Sequence, residues 1–393
     1  MSEAVSDTHS MHPPMTSGAT ATQDLAARGA RAPMTGALHT RLCDLVDIDV
    51  PVVQTGMGWV AYPPLASAVS AAGGLGVLAA ATMGYEELAK AIAEVKAATD
   101  RSFGVNLRAD APDAAERIDL MAREGVRVAS FAQAPKPDLI KRAKDGGMVV
   151  IPSIGAKRHA EKVAGWGADA VIVQGGEGGG HTGQVPTTLL LPQVVDAIGD
   201  QVAVIAAGGF FDGRGLVAAL AYGAVGVAMG TRFLLTSDSP VGAAVKDYYL
   251  GRSVTDTVVT RQVDGVPHRV LRTDLVDALE ASGNVTRLLR AARNAFAFQR
   301  LSGAPWRSLV AEGAAMRRSQ GLTLSQVVMA AITPMLLKAA MVDGRPDLGV
   351  MASGQVVGLI EDLPSCAELI ERITADADAA LARLAPLSGL VTA

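Results

Sequence analysis

The stretch VAVIAAGGFFDGRGLVAALAYGAVGVAMGTRFLL, residues 202–235, decides the fold. It reads as an apolar strand (Val202–Ala207), a glycine turn, a helix (Gly213–Tyr222) and a second apolar strand (Gly226–Gly230). Strands that are apolar throughout, rather than alternating, are typical of parallel sheets that are covered on both faces. The stretch therefore predicts a βαβ unit within an α/β protein.

The same rhythm extends back to residue 50, and each apolar run is followed by a helical pattern. The eight predicted strands are Val50–Gln54, Leu75–Ala79, Phe103–Leu107, Val126–Phe131, Met148–Pro152, Ala170–Gln174, Val202–Ala207 and Gly226–Gly230. Eight βα units predict a closed (β/α)8 TIM barrel. The alternative is a doubly wound open sheet, which usually carries a GxGxxG turn after its first strand. Here that turn, Thr55–Trp59, reads TGMGW, which favours the barrel.

Composition divides the chain into four parts. Residues 1–34 are polar and rich in Ser, Thr, Ala, Gly and Pro, which predicts a disordered extension without a secretory signal. Residues 35–255 form the predicted barrel, and residues 256–345 form a smaller, mostly helical lobe that would cover the active site. Residues 346–393 are predicted to pack back on the barrel.

The predicted elements beyond the barrel begin with a β-hairpin around Asp264-Gly265, a typical turn dipeptide. The other predicted elements are a helical region over Thr273–Ala340, an extended segment over Val350–Ile360 and a closing helix over Ser365–Leu384.

Charge and cysteine content exclude several classes of function. The chain has 35 Lys+Arg against 39 Asp+Glu, so it lacks the basic excess that is usual in nucleic-acid-binding proteins. Its longest apolar stretch is interrupted by glycines and is shorter than the roughly 18 residues of a membrane span. The two cysteines, Cys43 and Cys366, cannot form a disulfide framework or a four-ligand zinc site. We therefore expect a cytoplasmic protein without a metal, a membrane anchor or a nucleic-acid partner.

Glycines follow the last two predicted strands, at Ala207–Gly209 and Gly230–Arg232. Chemistry in TIM barrels lies at the C-terminal ends of the strands, and a phosphate site often forms after strands seven and eight. Glycine lets backbone N–H groups approach a phosphate closely, while Thr231 would add a hydroxyl donor and Arg232 a charge. The alternative is that these glycines only permit tight turns.

The loop Gln174–Gly183 reads QGGEGGGHTG and contains six glycines beside His181. Such a loop suits a flat ligand that lies against the backbone, with an imidazole nearby as acid or base. The alternative is a mobile loop with an incidental histidine. Asn106, at the end of the third strand, could pair with the polar edge of a heterocycle. His159 and His268 are interpreted as structural.

Other chemistries lack their motifs, because the sequence has no GxSxG, HExxH or GxxxxGK[ST] pattern. A flat ligand with one phosphate, next to one histidine, matches flavin mononucleotide. A non-redox barrel that binds a phosphorylated metabolite, as an isomerase or a sensor, remains the second alternative.

Several motifs resemble the FMN-dependent nitronate monooxygenase (2-nitropropane dioxygenase-like) family, which is itself similar to the flavin enoyl reductases of fatty-acid synthesis. They are PVVQTGMGWVA (51–61), AGGLGVLAA (72–80), SFGVNLR (102–108), GGEGGGHTG (175–183) and residues 206–235. The resemblance covers about residues 35–385 and implies a TIM barrel with a small helical domain. It implies that His181 is the active-site histidine.

The resemblance also implies a set of FMN-binding residues. These are Gly56, Met57, Gly58, Asn106, Gly208, Gly209, Gly230 and Thr231, and Ser153, Gln174, Gly179, Gly180 and Ala207 at the neighbouring strand ends are predicted to bind FMN with them. It leaves NAD(P) open as the electron partner, and homo-oligomerisation open as well.

Two features depart from typical nitronate monooxygenases. Ser153 stands where many members carry a lysine, and the loop before His181 is richer in glycine than usual. Both features argue against nitronate oxidation. The motifs GVRVASFA (125–132) and LPSCAELIE (363–371) resemble a steroid-degrading branch of the family more closely. That branch acts as a hydrindane-carboxyl-CoA double-bond reductase or dehydrogenase, so the implied substrate is a cyclic acyl-CoA of steroid ring C/D degradation. Oxidation of small alkyl nitronates is the first alternative.

An acyl-CoA substrate would require cations for its phosphates. The basic residues that follow the third to fifth strands are the candidates, although a solvated helical face explains them equally well. They are Arg108, Lys136, Lys141, Arg142, Lys157 and Arg158.

Overall fold

Eight parallel strands form a barrel in the computed structural model, which describes residues 38–281 and 324–388. The barrel strands are β1 (Val52–Gln54), β2 (Gly76–Ala79), β3 (Phe103–Leu107), β4 (Val128–Phe131), β5 (Val149–Ile154), β6 (Ala170–Gln174), β8 (Ala203–Ala207) and β9 (Gly226–Met229), while the short β7 (Gly180–His181) belongs to a second sheet. The order is β1-β9-β8-β6-β5-β4-β3-β2, and a parallel bridge between Val53 and Leu75 joins the two ends. The predicted TIM barrel is confirmed, and the open sheet is wrong.

A helix follows each barrel strand and buries its apolar face against the strands. The helices up to residue 250 are α1 (Arg41–Val46), α2 (Pro63–Ala71), α3 (Tyr85–Ala98), α4 (Ala114–Arg123), α5 (Pro137–Asp145), α6 (Lys157–Gly165), α7 (Thr187–Ile198), α8 (Gly213–Ala221), α9 (Thr231–Leu234) and α10 (Ala243–Leu250). In α3, for example, Leu88, Ile92 and Val95 recur at helical spacing and are buried.

The interior of the barrel is a packed apolar core. Inward residues such as Val77, Ile151 and Ile205 are buried there, together with Leu42 and Val46 of α1. Each such side chain stabilises the fold by about 1.5–3 kcal/mol. Because α1 precedes β1 and packs into this core, we place it at the N-terminal end of the barrel, and the C-terminal strand ends are left for the site.

A second, three-stranded sheet lies next to the barrel. Strands β10 (Thr257–Thr260) and β11 (His268–Leu271) are antiparallel, so the predicted hairpin is confirmed. Strand β11 also pairs with β7, with His268 opposite His181 and Arg269 opposite Gly180. This pairing, which the sequence did not predict, joins the hairpin to the glycine-rich loop.

The last described elements are helical. They are α11 (Asp274–Glu280), α12 (Leu324–Met341), a 3-10 helix (Gln355–Leu359) and α13 (Cys366–Ser388). The helical prediction for residues 273–340 is confirmed in α11 and α12, and its middle lies outside the described residues. The extended segment predicted over residues 350–360 is wrong where the 3-10 helix forms. Helix α13 packs on α8 and α2.

The disordered extension predicted for residues 1–34 lies outside the described residues, and the domain boundaries at residues 255 and 345 stay predictions. Among the described residues, no helix is long and apolar enough to cross a membrane.

Candidate active site

The turn after β8 is built from two glycines in the left-handed backbone region. Gly208 has a φ of +91° and Gly209 a φ of +87°. A Cβ added to Gly208 would lie 3.0 Å from the carbonyl oxygen of Gly175 and 3.2 Å from the amide nitrogen of Gly178. The turns after β6 and β8 therefore touch through their backbones, and only glycine fits without strain.

The turn after β9 contacts the turn after β1. A Cβ on Gly230 would lie 3.2 Å from Thr55 Oγ1 and 3.5 Å from Met57 Sδ. Thr231 Oγ1 accepts a hydrogen bond from the amide of Gly354 at 2.9 Å. A hydroxyl that accepts one bond can still donate its own hydrogen, so Thr231 keeps the donor that a phosphate requires.

Arg232 does not have the role that the sequence predicted. Its buried guanidinium donates to Asp362 Oδ1 at 3.1 Å and to the carbonyls of Leu235 and Asp362. Burial lowers the pKa of Arg232, and the Asp362 carboxylate acts in the opposite direction. The prediction that Arg232 supplies charge to a phosphate is wrong, because this side chain instead ties α9 to the C-terminal segment.

The turns after β1 and β3 also meet. A Cβ on Gly56 would overlap the side chain of Asn106. Asn106 Nδ2 donates to Ser130 Oγ at 3.0 Å, so the orientation of its amide is fixed with Oδ1 on the side of Gly56. Trp59 has a φ of +64°, an uncommon conformation for a bulky residue. Strained backbone of this kind is found where surrounding structure dictates it, often at functional sites.

The glycine-rich loop is held in place by its own side chains. Gln174 Nε2 donates to the carbonyl oxygens of His181 at 2.9 Å and Gly179 at 3.2 Å. The Glu177 carboxylate accepts from Thr187 N at 3.0 Å and Thr187 Oγ1 at 2.7 Å, which fixes the start of α7. Thr187 Oγ1 also lies 2.9 Å from the carbonyl oxygen of Gly208. The loop is thereby joined to the glycine turn after β8.

Most predicted cofactor residues therefore converge at the C-terminal strand ends. Gly56 meets Asn106, Met57 meets Gly230, and the loop that carries Gly179 and Gly180 meets the Gly208 turn.

The remaining predicted cofactor residues have other neighbours. Gly179 also packs on Gly354, because a Cβ added to Gly179 would lie 2.6 Å from the amide nitrogen of Gly354. Gly58 lies beside Thr82. Ser153 is half-buried at the end of β5 and pairs with Ile172 of β6. Flavin binding by each of these residues stays a prediction.

His181 is joined by two residues that the sequence did not mark as functional. Its Nε2 lies 2.6 Å from Asp264 Oδ2, and Nδ1 of His268 lies 3.5 Å from the same oxygen. The His181 and His268 ring centroids are 4.7 Å apart and the rings are tilted by 41°. Linear sequence carries no signal for this cluster, because the pairing of β7 with β11 brings together residues 83 positions apart.

The three side chains of this cluster differ in exposure. The His181 side chain is 52% exposed, whereas Asp264 is 11% and His268 4% exposed. Burial raises the pKa of the Asp264 carboxyl, but the hydrogen bond from His181 and the neighbouring His268 outweigh it, so this pKa lies below its usual range. Among the described residues, neither ring nitrogen of His268 has a hydrogen-bond partner.

The cluster also contains residue types that bind metal ions. In a tetrahedral zinc site with bonds of 2.0–2.1 Å, however, two ligand atoms lie roughly 3.3 Å apart. The 2.6 Å separation between His181 and Asp264 is instead that of a charge-assisted hydrogen bond. The geometry is that of an imidazole–carboxylate pair with a second imidazole beside it.

A cavity of about 650 Å³ lies beside the glycine-rich loop and is lined by Glu177, Val259, Arg261, Arg269 and Glu280 among others. Residues 268 and 269 of β11 point to opposite faces of the small sheet because side chains alternate along a strand. The cavity is thus on the other face from His268. Arg269 donates to the carbonyl of Gly176 at 2.8 Å, so it braces the loop against the hairpin.

The basic residues predicted to meet CoA are mostly paired with acids. Arg108 is paired with Asp110, Lys141 with Asp145, Arg142 with Asp119 and Lys157 with Glu161. These pairs indicate solvated surface charges, on helical faces except for Arg108–Asp110 in the turn after β3. The cations beside the cavity are Arg261 and Arg269, which the sequence did not single out for this role.

A TIM barrel with glycine turns after its last two strands, and a histidine on the loop before them, is an arrangement that suits a flavin-dependent oxidoreductase. Residues 39–376 match the nitronate monooxygenase family, and the chain belongs to that family.

Two relatives are similar over nearly their whole length. They are the (3aS,4S,5R,7aS)-5-hydroxy-7a-methyl-1-oxo-octahydro-1H-indene-4-carboxyl-CoA dehydrogenases of Mycobacterium tuberculosis, 64% identical, and Rhodococcus jostii, 63% identical, each covering 86% of this chain and 96% of the relative. Among solved structures, FabK of Thermotoga maritima has a TM-score of 0.73 and 33% identity, and covers 89% of this chain and 99% of its own. The family and the fold expected from the sequence are confirmed.

Proposed function

We propose that this protein is an FMN-dependent oxidoreductase that introduces or reduces a carbon–carbon double bond in a cyclic acyl-CoA of steroid ring C/D degradation. The observation that carries the cofactor assignment is the turn of two left-handed glycines, Gly208 and Gly209, after β8, which we call the cradle because it would present backbone without side chains to a phosphate. FMN has one phosphate, and one such cradle is what it requires. The relatives that share about two thirds of the sequence support the substrate class.

The name of those relatives, in which C5 carries a hydroxyl, favours C4–C3a as the reacting bond. In an indene-4-carboxyl-CoA, C4 is α to the thioester and C3a is one of its β carbons. Dehydrogenation across C4–C3a removes a proton from C4 and a hydride from C3a. Bound FMN would take or give that hydride. His181, the half-exposed imidazole on the glycine-rich loop, is assigned to move the proton at C4.

The composition of the site supports a bulky substrate. Ser153 is smaller than the lysine common in the family, and three consecutive glycines precede His181. The 650 Å³ cavity lies on the other face of the small sheet from His181, so it would hold the CoA portion rather than the reacting ring. Arg261 and Arg269 on its lining would meet the negatively charged CoA portion. NAD(P) is proposed as the electron partner.

Nitronate oxidation is the second candidate, because relatives named as probable nitronate monooxygenases also match, at 31% identity for one from Staphylococcus aureus. A small anion would gain from a lysine beside the flavin, and Ser153 removes that charge. We therefore expect weak nitronate turnover.

The proposed function is tested by cofactor and product analysis of the purified full-length protein. Heat-denatured protein should release FMN and no FAD. With the 5-hydroxy-hydrindane carboxyl-CoA and an electron acceptor, the thioester product should be lighter by two hydrogens. A colourless protein whose melting temperature does not respond to FMN would favour the non-redox alternative.

We also infer a cytoplasmic location. The two cysteines support it, since Cys43 and Cys366 are both free thiols and a reducing compartment preserves that state.

A further inference from the structure

The turn of the β10–β11 hairpin places the Asp264 carboxylate beside Nε2 of His181, which is the ring nitrogen farther from the His181 backbone. Asp264 Oδ2 lies 2.6 Å from Nε2 of His181, and Asp264 Oδ1 accepts a bond from the amide of Val266 at 3.1 Å. The carboxylate is therefore fixed by its own turn before it meets the imidazole. His268 packs against the ring of His181 and faces the same carboxylate oxygen from the buried side.

We propose that Asp264 is a positioning residue that fixes the tautomer of His181, so that Nδ1 is the nitrogen that exchanges protons with the substrate. This inference rests on the proposed role of His181 in the reaction. An ionised carboxylate can only accept hydrogen bonds, so a 2.6 Å contact requires a hydrogen on Nε2. In the neutral imidazole, the other nitrogen is then the free base.

The arrangement also accounts for the charge that forms during the reaction. When Nδ1 of His181 accepts the proton from substrate C4, the imidazole becomes a cation, and the C4–H electron pair remains on the substrate as the hydride leaves C3a. Asp264 lies next to that cation. Only 11% of the Asp264 side chain is exposed, so water screens this carboxylate less than it would a fully exposed one. In the reverse direction, the same Nδ1 returns the proton to C4.

The strands explain why a hairpin supplies the carboxylate. The pairing of β7 with β11 places His181 opposite His268, and Asp264 lies four residues before His268 in the loop that leads into β11. Arg269 holds this hairpin to the carbonyl of Gly176 in the glycine-rich loop. His181 and Asp264 thus belong to two segments that one three-stranded sheet holds together, and not to one flexible loop.

The test compares Asp264→Asn with Asp256→Asn. Asparagine keeps the shape of the side chain but removes the charge that requires a hydrogen on Nε2. Asp256 is the matched control, since it lies just before β10 of the same hairpin and its carboxylate accepts from the nearby amide of Ser253. We expect Asp264→Asn to lower kcat at least about tenfold. The loss should not exceed the roughly 10²–10⁴-fold loss that follows removal of a general acid/base. KM and FMN content should stay unchanged, and Asp256→Asn should behave as wild type.

A measurement without turnover separates this inference from the proposed function. In protein labelled with 15N-histidine, the signals of His181 are assigned by their loss in His181→Ala. The neutral wild type should show hydrogen on Nε2, and Asp264→Asn should shift the signals towards a mixture of tautomers. Hydrogen on Nδ1 in wild type would overturn the inference, as would a normal kcat in Asp264→Asn. Failure of the wild type to turn over acyl-CoA would instead contradict the proposed function.

Discussion

His181 is the side chain on which the proposed proton transfer depends. Its ring is half exposed, and its position is set by the β7–β11 pairing and by Asp264, whereas the phosphate cradle lies on other turns. We predict that His181→Ala keeps FMN but loses turnover of the acyl-CoA by about 10²–10⁴-fold. Flavin absorbance per protein and steady-state rates measure the two effects. A flavin-free variant, or one with normal turnover, would show that the role is misassigned.

Gly209 adopts a left-handed backbone conformation that a side chain would strain. Its φ of +87° costs a residue with a side chain about 1–2 kcal/mol. Gly147 has a φ of +80° with open space around it, so Gly147→Val has the same backbone penalty away from the site. We expect both valine variants to lose similar stability in thermal unfolding, while only Gly209→Val is purified without FMN. Equal flavin content in the two valine variants would contradict the assignment of the Gly208–Gly209 turn to the FMN phosphate.

At the scale of elements, α13 is held to the barrel by its first residue and its middle. Cys366 is buried, and its amide donates to Asp238 at 2.6 Å. At α8, Gly213 packs so closely on α13 that a Cβ would collide with the backbone of Ile373 and Ala377. The Cys366 side chain, at the start of α13, is therefore closed to solvent in the folded protein.

The thiol of Cys366 reports whether that element stays docked. Burial raises its pKa to about 12, and burial also raises the pKa of Cys43. The neutral thiol is a poor nucleophile, so at pH 8 we expect neither cysteine to react with iodoacetamide in the native protein. Both should be alkylated in denaturant, as counted by mass spectrometry. Rapid labelling of Cys366 under native conditions would mean that α13 undocks.

The sequence predicts a strand or helix correctly where an apolar pattern extends over most of that element. The eight barrel strands begin and end within two residues of their predicted bounds, because each is an apolar run between turn residues. The two-residue β7 was missed, since it lies in a glycine-rich loop with no apolar pattern and pairs with a distant strand. The segment around Gln355–Leu359 was misread as extended because its valines favour strands, whereas it forms a 3-10 helix over the site.

At the scale of the whole molecule, the barrel places its functional turns without regard to their order in the sequence. Turns after β1, β3, β6, β8 and β9 meet at one end, so the glycine cluster could be predicted from topology alone. The partners of His181 could not, because Asp264 and His268 come from the hairpin outside the barrel. Arg232 was assigned to the phosphate from its place in the chain, but its side chain turns to Asp362 instead.

The central claim is that a cyclic acyl-CoA exchanges a hydride with the flavin of this protein. The most direct measurement is anaerobic mixing of the oxidised full-length protein with the 5-hydroxy-hydrindane carboxyl-CoA, and separately with propyl nitronate, while the visible flavin absorbance is followed. We expect the acyl-CoA to bleach the flavin in proportion to the amount added, and the nitronate to do so poorly. Efficient bleaching by the nitronate, with no response to the acyl-CoA in either oxidised or reduced protein, would contradict the account.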